Sequence, residues 1–201
     1  EMVRGFKEAF EKGGGKVMKD LSLPFPGVEF QPLLTEIASQ KPDVVFAFFA
    51  GGGAVKFVKD YDAAGLKKSI PLVGSGFLTD GTLEAQGASA QGLITALHYG
   101  DNIETPRNTA FRNKFAVAYR VKPAVYALQG YDAAQMLAIG LATVKGDLSK
   151  KDALYAAMNK AQIDSPRGKF TLSPQRNPTQ DFYVREVKGN YNVVTGVAVK
   201  A

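Results

Sequence analysis

A chain of 201 residues with no cysteine and a single histidine cannot form disulfides, hold a thiolate metal site or use a cysteine nucleophile. Its 45% hydrophobic and 22% charged residues fit an ordinary globular chain, and no apolar run approaches the roughly 18 residues of a membrane helix. The net charge of +6 comes from scattered lysines; the densest pairs, Lys67-Lys68 and Lys150-Lys151, are too short for a nucleic-acid-binding arm, although a modest positive field favours capture of an anion.

Glu1-Met2-Val3-Arg4 leads straight into an amphipathic pattern rather than a signal peptide. Val3, Phe6, Ala9 and Phe10 share one face of a helix over Met2–Lys12, which Gly13-Gly14-Gly15 ends. Lys16–Ser22 reads as a strand. Pro24-Phe25-Pro26-Gly27 is a loop, because proline restricts itself and the residue before it. A second helix is expected from about Glu29 to Ser39, with Phe30, Leu33, Leu34 and Ile37 inward.

The stretch Asp43–Phe77 organises what precedes and follows it. Val44–Phe49 is an apolar run without alternation, the mark of a strand buried on both faces. Gly51, Gly52 and Gly53 break it. Val55, Val58 and Tyr61 then keep a helical spacing, and Gly65 closes that helix. Ile70–Val73 is a second apolar run, ended by Gly74-Ser75-Gly76. This is a βαβ unit with parallel strands. The running order α-β-α-β-α-β predicts an α/β fold, a parallel sheet flanked by helices. Ligands of open α/β sheets sit beyond the carboxyl ends of the strands. Ala50, Gly51 and Gly52 lie at one such end, either as a close approach for a ligand or as a plain turn. Ser75, Gly76 and Phe77 lie at the next.

Beyond Phe77, Thr79–Thr82 reads as a turn, Leu83–Ala90 as a short helix and loop, and Gly92–Tyr99 as a third buried strand. Asp101–Arg107 is a polar connector. Helices follow at Asn108–Arg120, Ala124–Lys145 and Lys150–Ala161, the middle one nearly uncharged and expected to be largely buried. Pro166-Arg167-Gly168 is a turn. Lys169–Ser173, Asp181–Lys188 and Tyr191–Lys200 read as short strands, the last two joined by a Gly189-Asn190 hairpin turn, so an antiparallel addition is expected. The expected divisions are an α/β core over 1–100, helices over 101–162 and closing strands over 163–201. Three successive helices without intervening strands need a sheet to cover. The chain supplies none, which implies a larger protein or a second chain.

The inventory is poor for catalysis. One histidine, His98, leaves no clustered metal ligands, and neither Ser75 nor Ser89 stands in a G-x-S-x-G elbow. Gly74-Ser75-Gly76-Phe77-Leu78-Thr79 begins like a dinucleotide fingerprint but ends in threonine. No enzyme, cofactor or metal is expected.

Several stretches carry a family likeness: FKEAFEKGGGKV, FPGVEFQPLLTEIASQKPDVVFAFFAGG, FVKDYDAAGL, IPLVGSGFL, GLITALHYGD, NTAFRNKFAVAYRVKPAVYALQGYDAAQMLAIGLA and RGKFTLSPQRNPTQDFYVREVKG. In this order they resemble the type I periplasmic substrate-binding proteins of ABC transporters, in the branched-chain amino acid (Leu/Ile/Val) group. The resemblance covers essentially the whole chain and implies two α/β lobes, most of the first lying outside it. It implies a periplasmic solute-binding component of an importer, with a small-molecule ligand and membrane permease subunits as partners and no nucleic acid. Residues 1–100 and 163–201 then belong to the second lobe, and 101–162 return to the first. In leucine-binding relatives an acidic residue near Gly76 takes the ligand ammonium. Here no Asp or Glu occurs between Gly74 and Leu78, which favours an aromatic or aliphatic carboxylate over a branched-chain amino acid. The PFPGVEFQP loop is similar to members that bind organic acids. Tyr131 matches a cleft aromatic by position, with Gln129 as its companion; a buried helix tyrosine is the alternative. Phe25 lies near the cleft in relatives, and His98 reads as a structural or hinge residue. The alternative function is the effector-binding core of a transcriptional regulator.

Overall fold

The computed structural model describes residues 2–24 and 26–200. Among them the elements run α1 (Met2–Lys12), α2 (Gln31–Gln40), β1 (Val45–Ala47), α3 (Gly51–Ala63), β2 (Leu72–Ser75), a 3-10 turn (Gly76–Leu78), α4 (Leu83–Gln86), β3 (Ile94–Leu97), α5 (Pro106–Tyr119), α6 (Val125–Thr143), α7 (Lys151–Asn159), β4 (Thr171–Leu172), β5 (Pro178–Thr179), β6 (Phe182–Lys188) and β7 (Tyr191–Val199). Among the described residues, five strands form one sheet in the order β1-β2-β3-β6-β7, and β4 pairs antiparallel with β5. β1, β2 and β3 run parallel, with Val45 opposite Leu72 and Val73 opposite Ile94. β6 and β7 are neighbours joined only by Gly189-Asn190, a connection so short that they must run antiparallel. The sheet is therefore mixed, a parallel portion extended by the antiparallel tail.

The chain divides into two units, one of residues 1–97 and 184–195, the other of 98–183 and 196–201. In the first, alternation along β1 sends successive side chains to opposite faces. Phe46 stacks on Phe6 of α1, ring centroids 4.0 Å apart. Val45 and Ala47 face the main core, where Phe30, Leu34, Phe57, Val58, Tyr61, Leu72 and Leu78 pack. Each such large side chain contributes about 1.5–3 kcal/mol on burial. The aromatic edges interlock, Phe30 meeting Phe57 at 5.2 Å and 73°. The Tyr61 hydroxyl donates to Ile70 O at 3.1 Å, and burial pushes the phenol up to about 12.

Several local expectations are corrected. Lys16–Ser22 is not a strand: its burial alternates, and Leu21 packs beside the core, but no ladder forms with the free edge of β1. Gly51, Gly52 and Gly53 do not precede a helix; they are its first turn, entered from extended Ala50. Gly74 and Ser75 end β2 rather than leave it. β3 is buried on one face only, Ile94 and Ala96 being exposed while Thr95 and Leu97 are covered. The short β5, Pro178–Thr179, is marked by no apolar run in the sequence.

In the second unit, α5 starts as its sequence dictates. Thr105 caps it by accepting from the Asn108 N–H, and Pro106 follows where an N–H is not needed. Gly140 lets α6 meet α7, since a Cβ there would lie 2.7 Å from Met158 Cγ and 2.9 Å from Leu154 Cδ1. A buried ion pair, Arg167 Nε to Asp132 Oδ2 at 3.0 Å, joins α6 to the turn at 166–168, with Ser165 Oγ also donating to Asp132. Desolvation holds the Asp132 carboxyl above its ordinary value and the Arg167 guanidinium below its own. The expectation that α6 is largely buried fails: Leu137 is 45% exposed, and Tyr126 and Ile139 are also open. The helix is apolar on all sides, and its described neighbours cover only part of it. No described helix is long and apolar enough to cross a membrane.

Candidate ligand site

The carboxyl ends of β1 and β2 lie side by side because the strands are parallel and in register, Ala47 facing Gly74. Beyond Ala47 the chain presents Phe48, 41% exposed, and then Ala50, Gly51 and Gly52, also exposed. Gly51 takes φ +54°, a conformation that costs glycine nothing. An ideal Cβ on Gly51 or Gly52 would meet no heavy atom of the described residues within 4 Å. No described side chain caps the first N–H groups of α3. Such an end attracts negative charge.

Beyond β2 the surroundings are dense. Ser75 is 2% exposed, yet its Oγ has no hydrogen-bond partner among the described residues. A buried hydroxyl left unpaired costs about 1–3 kcal/mol. Phe77 meets Phe48 edge to face, centroids 6.3 Å apart at 84°. Gly76 is buried, and a Cβ there would lie 2.5 Å from Leu97 Cβ and 2.7 Å from Arg185 Nη2. Asp80 is the sole acidic residue over 74–82, and its carboxylate accepts from Arg185 Nη1 at 2.6 Å. Both side chains are buried. The two strand ends together thus carry a pair of aromatic rings and a buried hydroxyl, with the turn's carboxylate already engaged by a guanidinium.

The second unit holds the remaining candidates. Tyr131 packs on Phe111 at 5.2 Å, its hydroxyl 3.5 Å from Arg107 Nη1. It lines a groove of about 430 Å³ between α5 and α6, with Arg107, Phe111, Phe115 and Tyr119. Gln129, two residues earlier, turns elsewhere: its Nε2 lies 3.5 Å from Nε2 of His98. His98 is buried, its ring edge-on to Phe182 at 6.0 Å. Ala50, Gly51, Gly52, Ser75, Gly76 and Phe77 are thus collected at adjacent strand ends, whereas Gln129 and Tyr131 meet different neighbours on α6. Phe25 lies outside the described residues.

Two residues escaped the sequence reading. Phe48 was hidden inside an apolar run assigned wholly to a strand. Arg185 shares the inward face of β6 with Val187, and a charge on an inward face demands a partner; that alternation was its signal.

Residues 1–192 match the family model described as Periplasmic binding protein. A Leu/Ile/Val-binding protein homolog 6 of Brucella melitensis biotype 1 is 32% identical over 188 residues, covering 90% of this chain and 48% of that relative. A solute-binding protein of an ABC transporter from R. palustris, solved with benzoate, is 51% identical with a TM-score of 0.96, covering 99% of this chain and 55% of its own. A solute-binding protein from Rhodopseudomonas palustris HaA2, solved with p-hydroxybenzoic acid, is 28% identical with a TM-score of 0.91, covering 99% and 56%. The chain thus spans about half the length of the proteins it matches. It belongs to the periplasmic binding protein family.

Proposed function

We propose that the full protein is the solute-binding component of an ABC importer and that its ligand is an aromatic carboxylate of the benzoate class. The observation that carries this is that the Phe48 and Phe77 rings meet at the carboxyl ends of β1 and β2, where the N-terminus of α3 has no side-chain cap among the described residues. Aromatic rings pack edge-on against a flat apolar ring, and uncapped helix N–H groups donate to a carboxylate. The engaged carboxylate of Asp80 leaves this turn without a partner for an ammonium group, which weighs against an α-amino acid. The benzoate bound by the relative at 51% identity supports the same class, and its transporter assignment favours an importer over a regulator core.

Ser75, Phe77, Ala50, Gly51 and Gly52 contact the ligand in this reading; Gly76 gives the turn its close packing. Gln129 and Tyr131 remain candidates on α6. The rest of the ligand's surroundings belongs to the part of the longer protein outside this chain, as does the cover for Leu137, Ile139 and the groove at Tyr131. Delivery to a membrane permease and a periplasmic location are part of this reading, supported by membership of the family, and no chemistry on the ligand is proposed.

Calorimetry on the full-length protein with benzoate, 4-hydroxybenzoate, leucine and phenylalanine tests this. Tight binding of either benzoate with weak or absent binding of the amino acids is expected. Leucine binding more tightly than the benzoates would overturn the ligand class.

A further inference from the structure

We infer that Arg185 and Asn192, on the β6–β7 hairpin, are positioning residues that hold the turn at 75–80 in its ligand-facing shape from behind. This rests on the ligand-site reading above. The turn is short, and its buried backbone carbonyls need hydrogen-bond donors. Gly76 O accepts from Arg185 Nη2 at 3.1 Å, besides closing the turn with the N–H groups of Thr79 and Asp80 at 3.1 and 3.0 Å. Leu78 O accepts from Gln86 Nε2 at 2.8 Å, and Thr79 O from Asn192 Nδ2 at 3.5 Å. The Thr79 hydroxyl donates to Asn192 Oδ1 at 2.6 Å. Arg185 is itself oriented: Nε and Nη2 donate to Thr95 Oγ1 at 3.2 and 3.1 Å, and Nη1 to Asp80.

Arg185 is 1% exposed. Taking a guanidinium and a carboxylate out of water commonly costs as much as their attraction returns, and well-packed apolar residues of similar size are often as stable in such places. Stability alone therefore does not account for this network. What it does achieve is geometric. A planar fork with fixed donor directions ties β3, the turn and Asp80 together at once. The absence of a Cβ on Gly76 lets the fork approach this closely. In contrast to these pinned groups, the buried hydroxyl of Ser75 is left without a partner among the described residues. Arg185 has a second effect on the ligand: it neutralises the single acidic residue of the turn, so an incoming carboxylate meets no free negative charge there.

The test uses the full-length protein with R185K, R185M and N192A, and benzoate as probe. Titration is done well below each variant's melting temperature, so that only folded protein is measured. R185M and N192A are each expected to weaken benzoate by about 10- to 100-fold, as when a supporting partner of a binding group is removed. R185K, which keeps the charge but not the fork, is expected to recover part of that loss. In R185M the preference for benzoate over phenylalanine is also expected to narrow, because Asp80 is released. A variant that melts earlier yet binds benzoate within twofold of the parent would reduce Arg185 and Asn192 to scaffold and overturn the inference. If R185M does not fold, N192A decides by the same criterion. Hydrogen exchange at the Thr79 and Asp80 amides gives a reading without ligand: acceleration in N192A is expected, and unchanged protection overturns the inference. A parent with no affinity for any aromatic carboxylate would instead sink the functional reading, and the exchange result would then judge the hairpin's hold on the turn by itself.

Discussion

Two glycine-bearing turns end neighbouring strands of one sheet, and they keep glycine for opposite reasons. At Gly52 a Cβ would meet no heavy atom of the described residues within 4 Å, and at Gly51 only the backbone, at φ +54°, would resist one. At Gly74 and Gly76 a side chain would strike Ala47 O at 2.7 Å or Leu97 Cβ at 2.5 Å, and the space is already used by the protein. The first turn is a helix end without a side-chain cap; the second is a packed turn pinned by buried side chains. The same residue type therefore signals vacancy in one place and crowding in the other. The second unit repeats the contrast, with Gly140 pressed against α7 while Leu137 on the same helix faces outward.

Gly76→Ala should be the most damaging change, since its Cβ would overlap Leu97 and the Arg185 fork. A loss of about 2–3 kcal/mol in urea unfolding is expected. A stability equal to the parent's would mean that the turn is loose and the contrast between the two turns false. Leu137→Gln sharpens the second-unit version. In the 201-residue chain it should change stability by less than about 0.5 kcal/mol, as exposed substitutions do. In the full-length protein it should cost about 1.5–3 kcal/mol if the rest of the chain buries Leu137. Equal small effects in both would leave α6 a solvent-facing helix.

Tyr61→Phe removes the bond to Ile70 O at the far end of α3 and should cost about 1 kcal/mol. It also carries a pH signature. The folded phenol holds its proton up to about 12, against 10.0 ordinarily. Stability contributed by the protonated phenol is therefore complete below pH 10 and is lost as pH rises from there through about 12. The parent should lose stability over that window more steeply than the phenylalanine variant; parallel pH curves would refute the assignment. The smallest stability effect is expected at the open turn. Gly52→Ala should leave unfolding within about 0.5 kcal/mol of the parent, yet weaken benzoate in the full-length protein, because its methyl enters the space the ligand needs. Unchanged benzoate affinity would remove Gly52 from the site.

The sheet was legible where pattern and chemistry agreed. Val44–Phe49 and Ile70–Val73 are apolar runs too short for helices, the Val55-Val58-Tyr61 spacing lies between them, and a parallel pair follows from that order alone. Helix ends were legible as well: Gly65 follows α3 in the left-handed conformation, at φ +75°. The segment Lys16–Ser22 was misread because its alternation is that of an extended chain, whereas a strand is made by pairing, which alternation does not report. Gly51–Gly53 were misread because glycine breaks strands and also opens helices, and composition does not separate the two.

By itself, then, the sequence determined the local grammar: the βαβ unit, the hairpin at Gly189-Asn190, the family likeness, and the want of an acidic residue between Gly74 and Leu78. These depend on neighbours a few residues apart. Only the tertiary structure decided what became of Asp80, which is matched to Arg185 across 105 positions of chain. It alone also decided that Gly76 is crowded and Gly52 is not, and that the hydroxyl of Ser75 has no partner among the described residues. Those outcomes depend on which strands lie side by side, and a side chain's partner is chosen by that adjacency rather than by anything in its own stretch of sequence.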